Sequence, residues 1–149
     1  MFPIRTILHP TDFSPQSEQA YRAARILARD CNARLIVVHV LTPPPLRTAR
    51  EKERGPEASD TQLRDLRTKL RGLSHTYKIL QGRPAAEIVA AAKNIGADLI
   101  VMGTHGRSGL TRALLGSVAE SVLRKAPCPV LTVKHSAGPA AQTPAANKA

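Results

Sequence analysis

The chain has 149 residues, enough for one domain with a real core, and an apolar share of 42% argues against global disorder. No apolar run approaches the ~20 residues that cross a bilayer. A formal net charge of +11 draws the chain toward polyanions such as nucleic acid, anionic lipid or nucleotide phosphate, yet aromatics at 3% leave few stacking platforms for a nucleic acid.

The N-terminal Met1-Phe2-Pro3-Ile4-Arg5 leads straight into a strand pattern, with no signal peptide, so a cytoplasmic protein without a membrane partner is expected. Residues 4 to 9 read as a first strand that ends at Pro10-Thr11-Asp12. Ser14-Pro15 is an N-cap with proline at the first helical position. Ala20, Ala23, Ala24, Leu27, Ala28 and Cys31 follow at spacings of three and four, the small-residue face of an amphipathic helix packed on a sheet. Cys31 and Cys128 have no disulfide framework or metal spacing around them, and both are expected to be inert core thiols.

Arg34 to Leu41 is a near-continuous aliphatic run, the pattern of a parallel strand covered on both faces. Thr42-Pro43-Pro44-Pro45 ends it, because proline cannot donate to a sheet ladder. Charged residues and Gly55-Pro56 make about 42–58 a mobile linker. Ser59 with Gln62 resembles a capping box, and Leu63, Leu66, Leu70 and Leu73 mark the apolar stripe of a second helix. The basic Arg64, Arg67, Lys69 and Arg71 belong to that helix's solvated face, which further weakens a nucleic-acid reading of the charge.

His75 to Leu80 alternates polar and apolar residues and reads as an edge strand. Gly82-Arg83-Pro84 opens a third helix that turns Ala85, Ile88, Val89, Ala92 and Ile95 inward and closes on Gly96. Asp98 to Met102 is the fourth strand, Val118 to Lys125 the fourth helix, and Pro129 to Lys134 the fifth strand. The domain is therefore expected over 1–135, with 136–149 a disordered tail rich in Ala, Pro, Gln and Asn. Strands alternating with helices imply a parallel, doubly wound α/β sheet with right-handed crossovers.

Ligands on such sheets bind beyond the carboxyl ends of the strands, where the winding reverses. Met102-Gly103-Thr104-His105-Gly106 leaves the fourth strand at that end, and Gly116-Ser117 stands at the start of the last helix. Glycines there let the backbone turn with positive φ and approach a ligand closely. A helix N-terminus offers unpaired N–H groups and the positive end of a dipole to an anion. The plainer role for Ser117 is a capping box with Glu120, worth about 1 kcal/mol of helix stability. The spaced glycines at the switch point favour the phosphates of a nucleotide, held by the Gly116, Ser117 and Val118 amides. Asp12 is either a turn-former or a carboxylate that meets ribose, adenine or a phosphate-bound metal. His105 has no partner acid or nucleophile near it in sequence and is read as loop structure or a phosphate contact. The other histidines show no ligand spacing. The P-loop pattern is absent, and Gln81-Gly82-Arg83 stands where a phospho-acceptor receiver would carry its aspartate.

Gly103-x2-Gly106-x9-Gly116-Ser117 resembles the signature of the universal stress protein family, in its nucleotide-binding branch. The opening Pro10-Thr11-Asp12-Phe13-Ser14, the Gly82-x-Pro84 turn and the closing Cys128 to Val133 are similar to that family too, so the likeness runs from about residue 3 to 134. The resemblance implies a Rossmann-like, adenine nucleotide alpha hydrolase-like sheet of order 3-2-1-4-5. It also implies ATP binding and a homodimer through the fifth strand, Val130 to Val133. By the same resemblance adenosine meets Pro10, Thr11, Asp12 and Val40, with Met102 and Gly103 near the ribose, and the phosphates meet Gly103, Gly106, Gly116, Ser117 and Val118. The expectation is a cytoplasmic ATP-binding stress-response protein whose nucleotide occupancy is a signal. Hydrolysis is slow at most, because no lysine, arginine finger or water-orienting acid is placed by motif and no catalytic residue is named. Two rivals stand beside it: a slow ATPase or nucleotidyl transferase in which Asp12 helps hold Mg2+ or Mn2+, and a basic adaptor for nucleic acid or an acidic protein partner.

Overall fold

The computed structural model describes residues 2–43, 75–105 and 115–135, with positions 46, 49, 64, 65 and 68 between them. The aliphatic runs become strands: β1 (Thr6–Pro10), β2 (Arg34–Leu41), β3 (His75–Gln81), β4 (Leu99–Gly103) and β5 (Val130–Val133). The helices are α1 (Pro15–Asp30), α2 (Pro84–Ile95) and α3 (Ser117–Lys125). The strands form one sheet of order β3-β2-β1-β4-β5, parallel throughout.

Because side chains alternate along a strand, each buried strand feeds both faces of the sheet. Ile7, Leu35, Val37, Leu99 and Val101 pack under α1 with Tyr21, Ala24 and Ala28. Leu8, Ile36, Val38, Ile100 and Met102 pack under α2 and α3 with Ile88, Ala92, Ala119 and Val122. Alanines on both helix faces let the helices sit close to the strands, as the small-residue spacing predicts.

The expected edges hold to within a residue or two. β1 begins at Thr6 instead of residue 4, and Asp98 Oδ2 accepts from both the Arg5 and Thr6 N–H groups at 2.9 Å, so these two amides bond a side chain instead of a neighbouring strand. Asp98 thereby serves as a tie between β1 and β4 and lies outside the strand it was assigned to. Ser14 caps α1 as expected, its Oγ accepting from Ser17 N–H at 3.1 Å. Gly96 closes α2 in the left-handed region at φ 61 and ψ 50, where a Cβ is disfavoured. β3 stands at one edge of the sheet and β5 at the other.

Cys31 departs from its reading as a core thiol: it is exposed, one residue past α1, where the helix face no longer meets the sheet. Cys128 is half-buried, and burial pushes its thiol pKa up. The second helix of the sequence reading is described only at Arg64, Asp65 and Thr68, which are helical, with Thr68 Oγ1 donating to the Arg64 carbonyl at 3.0 Å. The rest of that helix, most of the linker and the tail lie outside the described residues. No described helix is long and apolar enough to cross a membrane.

Candidate functional site

The sheet order makes β1 and β4 neighbours, and the chain winds from them in opposite directions. Their carboxyl ends therefore border the switch-point crevice. Two segments leave β1 and β4 there, and the starts of α1 and α3 close over them.

At the β1 exit, Thr11 is held on every side. Its N–H donates to the Val38 carbonyl at 2.8 Å. Its Oγ1 accepts from Ser17 Oγ at 2.8 Å and from Phe13 N–H at 3.2 Å. With both lone pairs engaged, the Thr11 hydroxyl has its own hydrogen left to give, which suits an acceptor atom of a ligand. Asp12 Oδ1 accepts from Ser14 N–H at 2.9 Å, so the turn-forming reading of Asp12 is realised in the loop. Phe13 adopts φ 61, a left-handed conformation costing a bulky residue about 1 kcal/mol. Its ring packs on His39 with centroids 4.6 Å apart. Pro10 ends β1 half-buried, in register with Val38.

At the β4 exit, Met102 is buried under α2 and α3, and Gly103 lies against the first turn of α1. A Cβ on Gly103 would stand 3.3 Å from the Gln16 carbonyl oxygen. A side chain there would press on the first turn of α1, which would have to give by a few tenths of an ångström, and among described glycines positive φ belongs to Gly82 and Gly96 instead. Thr104 N–H donates to the Val133 carbonyl at 3.2 Å, and the Thr104 carbonyl accepts from Gly116 N–H at 2.7 Å. That second bond fastens the start of α3 to the end of β4. His105 Nδ1 stands 3.0 Å from Thr104 Oγ1, and its Nε2 is buried with no partner among the described residues.

The start of α3 differs from the sequence reading. Gly116, not Ser117, is the N-cap, and no side chain caps the helix. Glu120 pairs with Arg124 at 2.6 Å instead of reaching back. The capping box is absent because Ser117 already has helical geometry, one position too late to cap. Gly116 N–H is spent on Thr104, while the N–H groups of Ser117, Val118 and Ala119 have no acceptor within the helix. By contrast α1 is capped by Ser14. An α-helix start left without a side-chain cap keeps its dipole and donors for an anion.

Of the residues singled out in the sequence, Pro10, Thr11 and Asp12 gather at the β1 exit, and Met102, Gly103 and His105 at the β4 exit. Gly116, Ser117 and Val118 are bound to the latter through Thr104. Val40 lies half-buried near the end of β2, on the α2–α3 face. Gly106 lies outside the described residues. Ser17 and Gln16 carried no signal in the sequence, Phe13 entered only as part of the Pro10–Ser14 motif, and His39 was given no role because it lacks ligand spacing; the signal available for it was a histidine inside an aliphatic strand, which must find an acceptor when buried. Among the described residues, no three of His, Cys, Asp and Glu gather as a metal site would require.

A doubly wound parallel domain with backbone donors at its switch point is the class of protein that this fold and site define. The chain belongs to the universal stress protein family, whose profile matches residues 3–134. It is 39% identical over 141 residues to universal stress protein MJ0531 of Methanocaldococcus jannaschii, covering 87% of this chain and 82% of that protein. The solved structure of MJ0577 from the same organism superposes with a TM-score of 0.71 at 30% identity, over 91% of this chain and 99% of that one. A universal stress protein crystallised in complex with cAMP superposes with a TM-score of 0.67 at 29% identity, over 90% of this chain and 99% of that one.

Proposed function

We propose that the protein is a cytoplasmic ATP-binding universal stress protein in which nucleotide occupancy selects one conformation or dimer geometry and so serves as a stress signal. The observation that carries the reading is the uncapped first turn of α3, tied to the β4 exit by Gly116 N–H and Thr104 at 2.7 Å. The donor set fits a polyphosphate: the Ser117 and Val118 amides and the Ser117 hydroxyl, with His105 and the signature glycines Gly103, Gly106 and Gly116 assigned to the same phosphates. Pro10, Thr11, Asp12 and Val40 take the adenosine, with Met102 and Gly103 beside the ribose. The cAMP complex of a relative supports an adenine nucleotide as the ligand class. Mg2+ or Mn2+ enters with the phosphates, and Asp12 is the carboxylate of the β1 exit. The family likeness also supports a homodimer through the edge strand β5.

Isothermal titration of the purified chain with ATP tests the reading. Saturable binding is expected, and no saturable binding at millimolar ATP overturns it. The reading requires no rapid turnover, because a ligand that binds two states unequally shifts their populations without chemistry.

A further inference from the structure

We propose that His39 is the positioning residue of the crevice, holding the β1 exit loop in the shape that presents Thr11 and Asp12. The proposal deepens the nucleotide reading and rests on it for the ligand. Three observations converge. His39 Nδ1 lies 2.8 Å from the Thr11 carbonyl, and since a carbonyl only accepts, Nδ1 carries the hydrogen. The Phe13 ring packs on the imidazole with centroids 4.6 Å apart, which offsets the left-handed strain at φ 61. His39 is 7% exposed, and its Nε2 is buried with no partner among the described residues.

The third observation decides between a core residue and a positioning one. Strand β2 is otherwise Leu, Ile and Val from Leu35 to Leu41, and a leucine at 39 would fill the same layer without stranding a nitrogen. A histidine there gains one thing that leucine lacks: a directional hold on the next strand's exit. That hold completes the loop. Thr11 N–H, Oγ1 and carbonyl are then all engaged, on Val38, on Ser17 and Phe13, and on His39. The ring thus sets where the Thr11 hydroxyl and the Asp12 carboxylate point, without itself touching ligand.

The test uses His39→Leu and His39→Asn in the full chain. Asparagine puts its amide N–H where Nδ1–H stood, so H39N should bind ATP within about twofold of wild type, whereas H39L should bind about tenfold more weakly, the scale of one lost buried hydrogen bond. Amide exchange read at Phe13 and Ser14 should quicken in H39L and return to the wild-type rate in H39N. A structural role alone would weaken both variants together and would not be rescued by asparagine. Wild-type affinity and exchange in H39L overturn the proposal. Should H39L not fold, His39→Gln replaces it, because its amide reaches the Nε2 position instead, and unchanged exchange in H39Q overturns the proposal. Failure of the wild type itself to bind ATP is a different result: it removes the nucleotide reading, and the exchange contrast alone then decides whether His39 holds the loop.

Discussion

His9 sits in β1 directly below the crevice, fully buried, with Nδ1 donating to the Val101 carbonyl at 2.8 Å. Burial lowers its pKa to about 4 from the ordinary 6.5, against the smaller opposing pulls of that hydrogen bond and of Asp12. The native state therefore refuses a proton that the unfolded chain accepts. Above pH 6.5 both states are neutral at this site and it costs nothing. As pH falls from 6.5 toward 4 the unfolded chain is protonated first, and stability is lost across that window. Urea unfolding should show the wild type losing about 2 to 3 kcal/mol from this one group between pH 7 and 4.5. His9→Leu should show a correspondingly flatter slope, and equal slopes in the two proteins would refute the assignment. Gly103 illustrates what was legible at this scale. Its position at a strand exit was readable, but its reason was not: the closeness of Gln16 exists only once α1 lies across β4.

Among the elements, the proposed nucleotide reading rests on α3 and its first turn. Ser117 at the first helical position has an N–H that the helix does not use, and Gly116 before it is extended at ψ 153. Proline is compatible with both conditions. Ser117→Pro should therefore keep the melting temperature within about 2 °C of wild type, because the first helical N–H is an orphan in any case. The same change removes one amide donor and one hydroxyl from the proposed anion site, so ATP affinity should fall about fivefold or more. Calorimetry and titration on the same sample separate the two effects. A variant that binds ATP as tightly as wild type would mean that the first turn of α3 does not meet phosphate. The helix was readable from sequence to within a residue, yet that residue reversed the role of Ser117. Whether a serine caps or follows the cap depends on where Thr104 fastens Gly116, a contact made across a loop.

For the whole molecule, the sheet has two edges, β3 and β5, and an edge presents backbone groups ready to pair with another chain. Leu131 on β5 is 40% exposed, a large aliphatic side chain at that edge. A dimer through β5 would cover it, and Leu131→Lys should then shift sedimentation toward the monomer, raising the dimer dissociation constant by about tenfold or more. A wild type that sediments as a monomer at high micromolar concentration would rule the β5 dimer out. On the proposed reading the net charge of +11 would speed encounter with a polyanionic nucleotide at low ionic strength, while repulsion between two such chains would oppose a dimer. High salt should therefore weaken ATP binding while favouring association.

The amino-acid sequence by itself determined the five strands, the helices α1, α2 and α3 and the parallel winding that joins them. Aliphatic runs such as Arg34–Leu41, the alanine spacing of α1 and the capping residues Ser14 and Gly96 act through neighbours in the chain, where periodicity and local hydrogen bonds are visible. The tertiary structure alone decided which distant partners these residues meet. Gly103 meets the first turn of α1, Asp98 ties the start of β1 to β4, Gly116 is held by Thr104 and His39 bonds Thr11, and none of these partners is implied by the residue itself. Many of those bonds join residues remote in sequence. A contact of that kind depends on how the strands are laid side by side, and a one-dimensional pattern records the strands without recording which atoms they bring together.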